Sequence, residues 1–116
     1  MKPGVLDLVC PAGATFTKTF TWKIDGQAQN LTNYTARMQV RKGYAGSDLL
    51  VSLTSSSGIT LGGTAGTIAV FIADSATSNL PSGVWRYDLE MVSGDATPIV
   101  TRLLEGKFTV TPEVTK

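Results

Sequence analysis

Between Leu31 and Lys42 the chain reads L-T-N-Y-T-A-R-M-Q-V-R-K, setting Tyr34, Ala36, Met38 and Val40 on one parity against Thr35, Arg37, Gln39 and Arg41 on the other. A repeat of two is the signature of a half-buried strand. Similar patterns recur along the chain. From Thr15 to Ile24, Phe16, Phe20, Trp22 and Ile24 face one way and a row of threonines the other, with Lys18 on the apolar parity at an open end of the core. Leu49, Val51 and Leu53 alternate with Leu50, Ser52 and Thr54, and Ile59 to Leu61 is a short strand. Ile68, Val70 and Ile72 oppose Thr67, Ala69 and Phe71. From Val84 to Val92, Trp85, Tyr87, Leu89 and Met91 oppose Arg86, Asp88 and Glu90. The return from Ile99 to Val110 sets Val100, Arg102, Leu104, Gly106, Phe108 and Val110 on one parity, and Gly106 is the expected place of a bulge. Val5 to Val9 forms a first strand.

Turn signals separate these runs. Asp25-Gly26 predicts a hairpin, Gly43 and Gly46 flank a loop whose one large side chain is Tyr44, and Ser93-Gly94-Asp95 joins the last two strands. The one helical stretch is Ala73 to Asn79, barely more than a turn, with Asp74 or Ser75 as its N-cap. About eight short strands with turns every 8 to 12 residues predict an all-β fold, an immunoglobulin-like β-sandwich of Greek-key form. The Cys-Trp-Cys framework of antibody domains is missing, so the expectation concerns architecture only.

At 116 residues the chain suits a single domain spanning 1–116, with flexible ends expected at 1–4 and 112–116. A formal charge of +1 provides no large field for nucleic acid or an anionic membrane, and neither is expected as a partner. The apolar N-terminal run is too short, and with Asp7 too charged, for a signal peptide core or a membrane span.

Histidine is absent, which removes the commonest general base and zinc ligand. Cys10 is the only cysteine, so neither an intrachain disulfide nor a cysteine metal cluster can form. Asp88 and Glu90 share a wet parity with Arg86, near Arg102 and Glu105, and cross-strand ion pairs account for them better than paired catalytic carboxylates. The remaining aspartates fall at turns and strand ends in no calcium-loop spacing. No catalytic residue, metal or cofactor is assigned. Trp22, Trp85 and Tyr87 lie on apolar parities, which leaves Tyr44 as the one aromatic available to a sugar-binding rival. Protein contact is the stronger reading. Its candidate residues are Val5, Leu6 and Leu8 in the N-terminal segment, Arg37 and Arg41 on the polar face, and Tyr44 in the loop.

The order of motifs adds a resemblance. F-T-K-T-F-T-W, N-L-T-N-Y-T-A-R-M-Q-V-R, G-I-T-L-G-G-T-A-G-T-I, L-P-S-G-V-W-R-Y-D-L-E and T-R-L-L-E-G-K-F-T-V-T-P-E-V-T together resemble small structural proteins of tailed bacteriophages and prophages. They are also similar to the N-terminal domain of phage baseplate upper proteins, over Thr15 to Thr115. The resemblance implies a β-sandwich virion component of the tail, baseplate or fibre attachment, made in the bacterial host cytoplasm. It implies other virion proteins as partners and multiple copies in a cyclic assembly. A capsid decoration protein is the alternative within a virion. The motifs are strands and turns, so they carry over no functional residue.

Overall fold

The computed structural model describes residues 4–43 and 47–114, and they form a sandwich of two main sheets. In chain order the strands are β1 (Gly4–Val5), β2 (Leu8–Pro11), β3 (Phe16–Thr21), β4 (Lys23–Ile24), β5 (Gln27–Ala28), β6 (Thr35–Arg41), β7 (Leu49–Thr54), β8 (Ile59–Leu61), β9 (Thr67–Ile72), β10 (Gly83–Val92) and β11 (Val100–Thr111). The larger sheet runs β1-β11-β10-β6-β7, with β2 continuing β1 along the same edge of β11. The smaller sheet is β3-β9-β8, and β4 and β5 form a separate hairpin. The chain crosses from one sheet to the other between β2 and β3, between β3 and β6, between β7 and β8 and between β9 and β10, the Greek-key arrangement of an immunoglobulin-like sandwich.

The two inner faces meet through side chains that the alternation assigned inward. Ala36, Met38 and Val40 of β6, Ile68, Val70 and Ile72 of β9, Tyr87, Leu89 and Met91 of β10, and Phe108 and Val110 of β11 are all buried. Phe16 of the small sheet packs against Phe108 of the large one, the rings tilted at 58° with centroids 5.5 Å apart, which ties the layers together. Asp25 and Gly26 both have positive φ, 53° and 79°, the geometry of a type I′ turn, so the Asp-Gly signal does make the β4–β5 hairpin.

Several expectations are corrected. The first strand is two pieces, interrupted at Leu6–Asp7 but in one register, since Gly4 stands opposite Leu104 and Leu8 opposite Phe108. Gly4 is therefore part of a strand and not a loose end. The strand from Thr15 breaks at Trp22, and Ile24 beyond it is exposed because the small hairpin leaves the sandwich. The short helix α1 (Asp74–Thr77) is capped by Ala73 without a side-chain hydrogen bond, so neither Asp74 nor Ser75 acts as N-cap. Its Thr77 is fully buried and donates its hydroxyl proton to the Ala14 and Asp74 carbonyls at 2.8 and 3.1 Å.

The bulge in β11 is not at Gly106. The register slips where Leu89 faces Leu104 but Glu90 faces Arg102, which leaves Leu103 as the extra residue. One inserted residue reverses the facing of everything before it, so Arg102 joins the outer face although its parity matches Phe108. Gly106 serves a different purpose. A Cβ there would lie 2.3 Å from the Leu6 carbonyl oxygen, so only glycine lets the N-terminal segment dock.

Candidate interaction surface

The outer face of the large sheet carries the densest polar chemistry of the described residues, and the strand registers arrange it in bands. Val9, Thr109 and Val84 stand side by side across β2, β11 and β10. One step along, Lys107, Arg86 and Arg41 stand side by side across β11, β10 and β6. Glu105, Asp88 and Gln39 form the next row, and Arg102, Glu90 and Arg37 the one after it. Rows repeat at about 6.6 Å, twice the rise per residue of a strand.

Ion pairs link the strands across the last two rows. Arg37 holds Glu90 at 2.7 Å through Nε, a cross-strand pair for a residue that the sequence suggested only as a partner contact. Arg102 divides itself between Asp88 at 3.6 Å and Glu105 at 3.7 Å, so one guanidinium serves two carboxylates at long distance. Partial burial raises the Asp88 carboxyl above its ordinary pKa, Glu90 and Glu105 push the same way, and Arg102 and Arg37 oppose them. In the cationic row, directly opposed like charges are unfavourable neighbours. Arg41 is held in place by donating to the Ser47 carbonyl at 2.7 Å and to Gln39 Oε1 at 3.1 and 3.3 Å. A shallow depression of about 310 Å³ lies over the two middle rows, lined by Gln39, Arg41, Arg86, Asp88, Arg102 and Glu105.

At the sheet's edge, where its strand is interrupted, the N-terminal segment is fixed by the Leu6 backbone N–H donating to the Glu105 carbonyl at 3.0 Å and by two contacts that involve side chains. The Lys107 backbone N–H donates to Asp7 Oδ1 at 3.0 Å, and the Tyr87 hydroxyl donates to the Leu6 carbonyl. Burial, with the Asp7 charge nearby, pushes the Tyr87 phenol up to about 12.

The structure brings only part of the expected contact set together. Arg37 and Arg41 lie on one face, as their parity required. Val5 is 77% exposed and Leu6 37%, at the sheet edge. Leu8 is a correction, since it is 5% exposed and belongs to the core, turned inward against β11. Tyr44 lies outside the described residues. The sequence reading gave Lys107 no role and Arg86 none beyond ion pairing. Their outward parity was visible, but their alignment with Arg41 needed the registers between strands.

A second cavity, of about 320 Å³, opens between the sheets beside β1 and β3 and is lined by Gly4, Phe20, Trp22, Leu103 and Leu104. Trp22 is buried with its indole N–H unpaired, its ring meeting Tyr34 edge to face at 5.8 Å. Trp85 is partly exposed but committed, donating Nε1–H to the Pro81 carbonyl at 2.9 Å beneath the Lys42 ammonium. Among the described residues no His, Cys, Asp and Glu side chains gather in groups of three that could hold a metal ion. No helix of the described residues is long and apolar enough to cross a membrane.

Neither protein-family models nor curated protein sequences give a match to this chain.

Proposed function

We propose that the protein is a non-enzymatic structural subunit of a bacteriophage virion, in the tail or baseplate or as the adaptor that anchors fibres. The observation that carries the reading is the distribution of contact surface. A broad, banded sheet face adjoins an edge bearing Val5 and Val9, and the opposite edge strand β7 shows Leu49, so polar and apolar contact areas lie open on one sandwich. Its polar groups serve one another across strands instead of converging on one point. The motif resemblance supports the same reading, because each resembling segment contributes at least one strand to the sandwich.

In this role the protein works by holding neighbours, with other virion proteins as partners and several copies around a cyclic axis. Purified particles separated into heads and tails, each probed for this chain, test the reading. Recovery with tails is expected. Recovery with heads alone makes the protein a capsid decoration subunit, and absence from both fractions removes the virion reading.

A further inference from the structure

We infer that the open edge of β3 binds an extended segment of a partner protein as an added strand, whose inward side chains are a carboxylate, a branched apolar group and a second carboxylate. β3 ends the small sheet, and among the described residues no strand pairs its other side. The ladder shows which groups are left over. The Trp22 N–H donates to the Gly66 carbonyl at 2.9 Å, continuing the register that sets Phe16 opposite Ile72. Bonding alternates along an antiparallel strand, so Phe16, Lys18 and Phe20 bond β9, while Thr17, Thr19 and Thr21 turn their N–H and C=O groups to the open edge. Phe71 agrees, since it stands opposite Thr17 yet donates its own N–H at 2.8 Å to Gly58, on the β8 side. Three exposed threonines thus offer a ladder for one more strand.

Charge and shape beside that edge identify the occupant. Lys18 has the inward parity of Phe16 and Phe20 but is exposed, and Lys23 is exposed at the start of β4. Neither ammonium meets a carboxylate among the described residues. Between the two lysines, Phe20 and Trp22 line the cleft of about 320 Å³ beside Gly4, Leu103 and Leu104. The order along the edge is therefore cation, apolar cleft, cation. A strand laid on it fits with a carboxylate at Lys18, a leucine-sized side chain in the cleft and a carboxylate at Lys23. That order reads the same in both directions, so it holds for parallel and antiparallel pairing. Lys18 also sets the selectivity, because an apolar strand would bury its ammonium unpaired. No two acidic residues of this chain stand four apart in sequence, so no segment of a second copy carries the pattern, and the occupant is another protein.

A short ladder with one apolar anchor makes a weak contact, and its exposed ion pairs make it sensitive to salt. The inference goes beyond the virion reading and does not need it, because the open edge and its two lysines are present wherever the protein resides.

The test uses the whole chain and a capped peptide that alternates threonine with glutamate, leucine and glutamate, in that order. Titration at low salt, followed by amide shifts, should give saturable binding centred on β3 and on Leu103 and Leu104, weakening as salt is raised. Hydrogen exchange supplies the signature of strand addition. In the free chain Thr17, Thr19 and Thr21 should exchange quickly while Lys18 and Phe20 are protected, and saturating peptide should slow the three threonines at least about tenfold. A peptide with glutamine in place of glutamate should bind at least about tenfold more weakly, and Lys18→Glu should weaken the original peptide by as much. The chain carrying both Lys18→Glu and Lys23→Glu should instead take a peptide with lysine in place of glutamate, which also shows that the variant folds. Absence of saturation at millimolar peptide overturns the inference, as does equal binding of the glutamate and glutamine peptides or failure of the reversed pair. So do threonine amides already protected in the free chain, whether by its own residues or by a second copy, and shifts confined to β7 or to the outer face of the large sheet.

Discussion

Tyr87 reaches past Gly106, its neighbour on β11, to donate its hydroxyl proton to the carbonyl oxygen of Leu6 on the far side of that strand. The contact joins the centre of the sheet to its edge. It exists because position 106 has no side chain, and it fixes the N-terminal segment where the regular ladder lapses. Removing the hydroxyl with Tyr87→Phe should cost about 1 kcal/mol and speed amide exchange in Gly4–Pro11 more than elsewhere. Urea unfolding and hydrogen exchange measure the two effects.

The same phenol gives a pH signature. Its folded pKa of about 12 lies above the ordinary value of 10.0, so between them the unfolded chain releases a proton that the folded chain retains. Stability from this group is complete below the ordinary value and is lost as pH climbs towards the folded one. Denaturation followed from pH 9 to 12 should fall more steeply for the unaltered chain than for Tyr87→Phe.

Gly106→Ala should be the more severe change, because the new methyl group meets the backbone of Leu6 and not a movable side chain. Overpacking of this kind costs about 1–3 kcal/mol. The expected outcome is a folded sandwich with its N-terminal segment released, seen as a lower thermal midpoint together with lost protection at β1 and β2.

Cys10 reports the same event chemically. It is fully buried on β2, and burial pushes its thiol pKa up, so a thiol reagent has neither access nor thiolate to attack in the folded chain. Labelling should be at least about a hundredfold slower than in urea, and Gly106→Ala should accelerate it in native buffer. Equal labelling rates in the two chains would show that β2 does not depend on Gly106.

Asp88 has the opposite sense from most salt-bridged carboxylates. Its folded pKa is raised, so the folded chain holds the proton more tightly, and the group's contribution falls as pH rises through the ordinary value and then the folded one. Asp88→Asn should therefore stabilise the monomer slightly at pH 7, by at most about 0.5 kcal/mol because the side chain is 39% exposed, and leave it unchanged at pH 3. Thermal melts at the two pH values, on dilute protein, check the sign.

Period-two patterning by itself determined which side of most strands faces inward. For Ala36, Met38 and Val40, for Ile68, Val70 and Ile72, and for Tyr87, Leu89 and Met91 the alternation was sufficient, because the inside of a sandwich excludes water from one face of a strand. The Asp25-Gly26 turn was legible too, being local, and ion pairing of Asp88 and Glu105 with Arg102 was expected, but Arg37 as the partner of Glu90 was not. Only the tertiary structure decided the rest. A strand's own pattern does not state which residue of another strand stands beside it; turn lengths, bulges and packing across the layers set that. The extra residue at Leu103 turned Arg102 outward, the bare Gly106 admitted Leu6 and Asp7, and two separate registers set Lys107, Arg86 and Arg41 in one row. Outward parity was written in the sequence at each of those three cations, but their side-by-side placement arose only when β11, β10 and β6 paired.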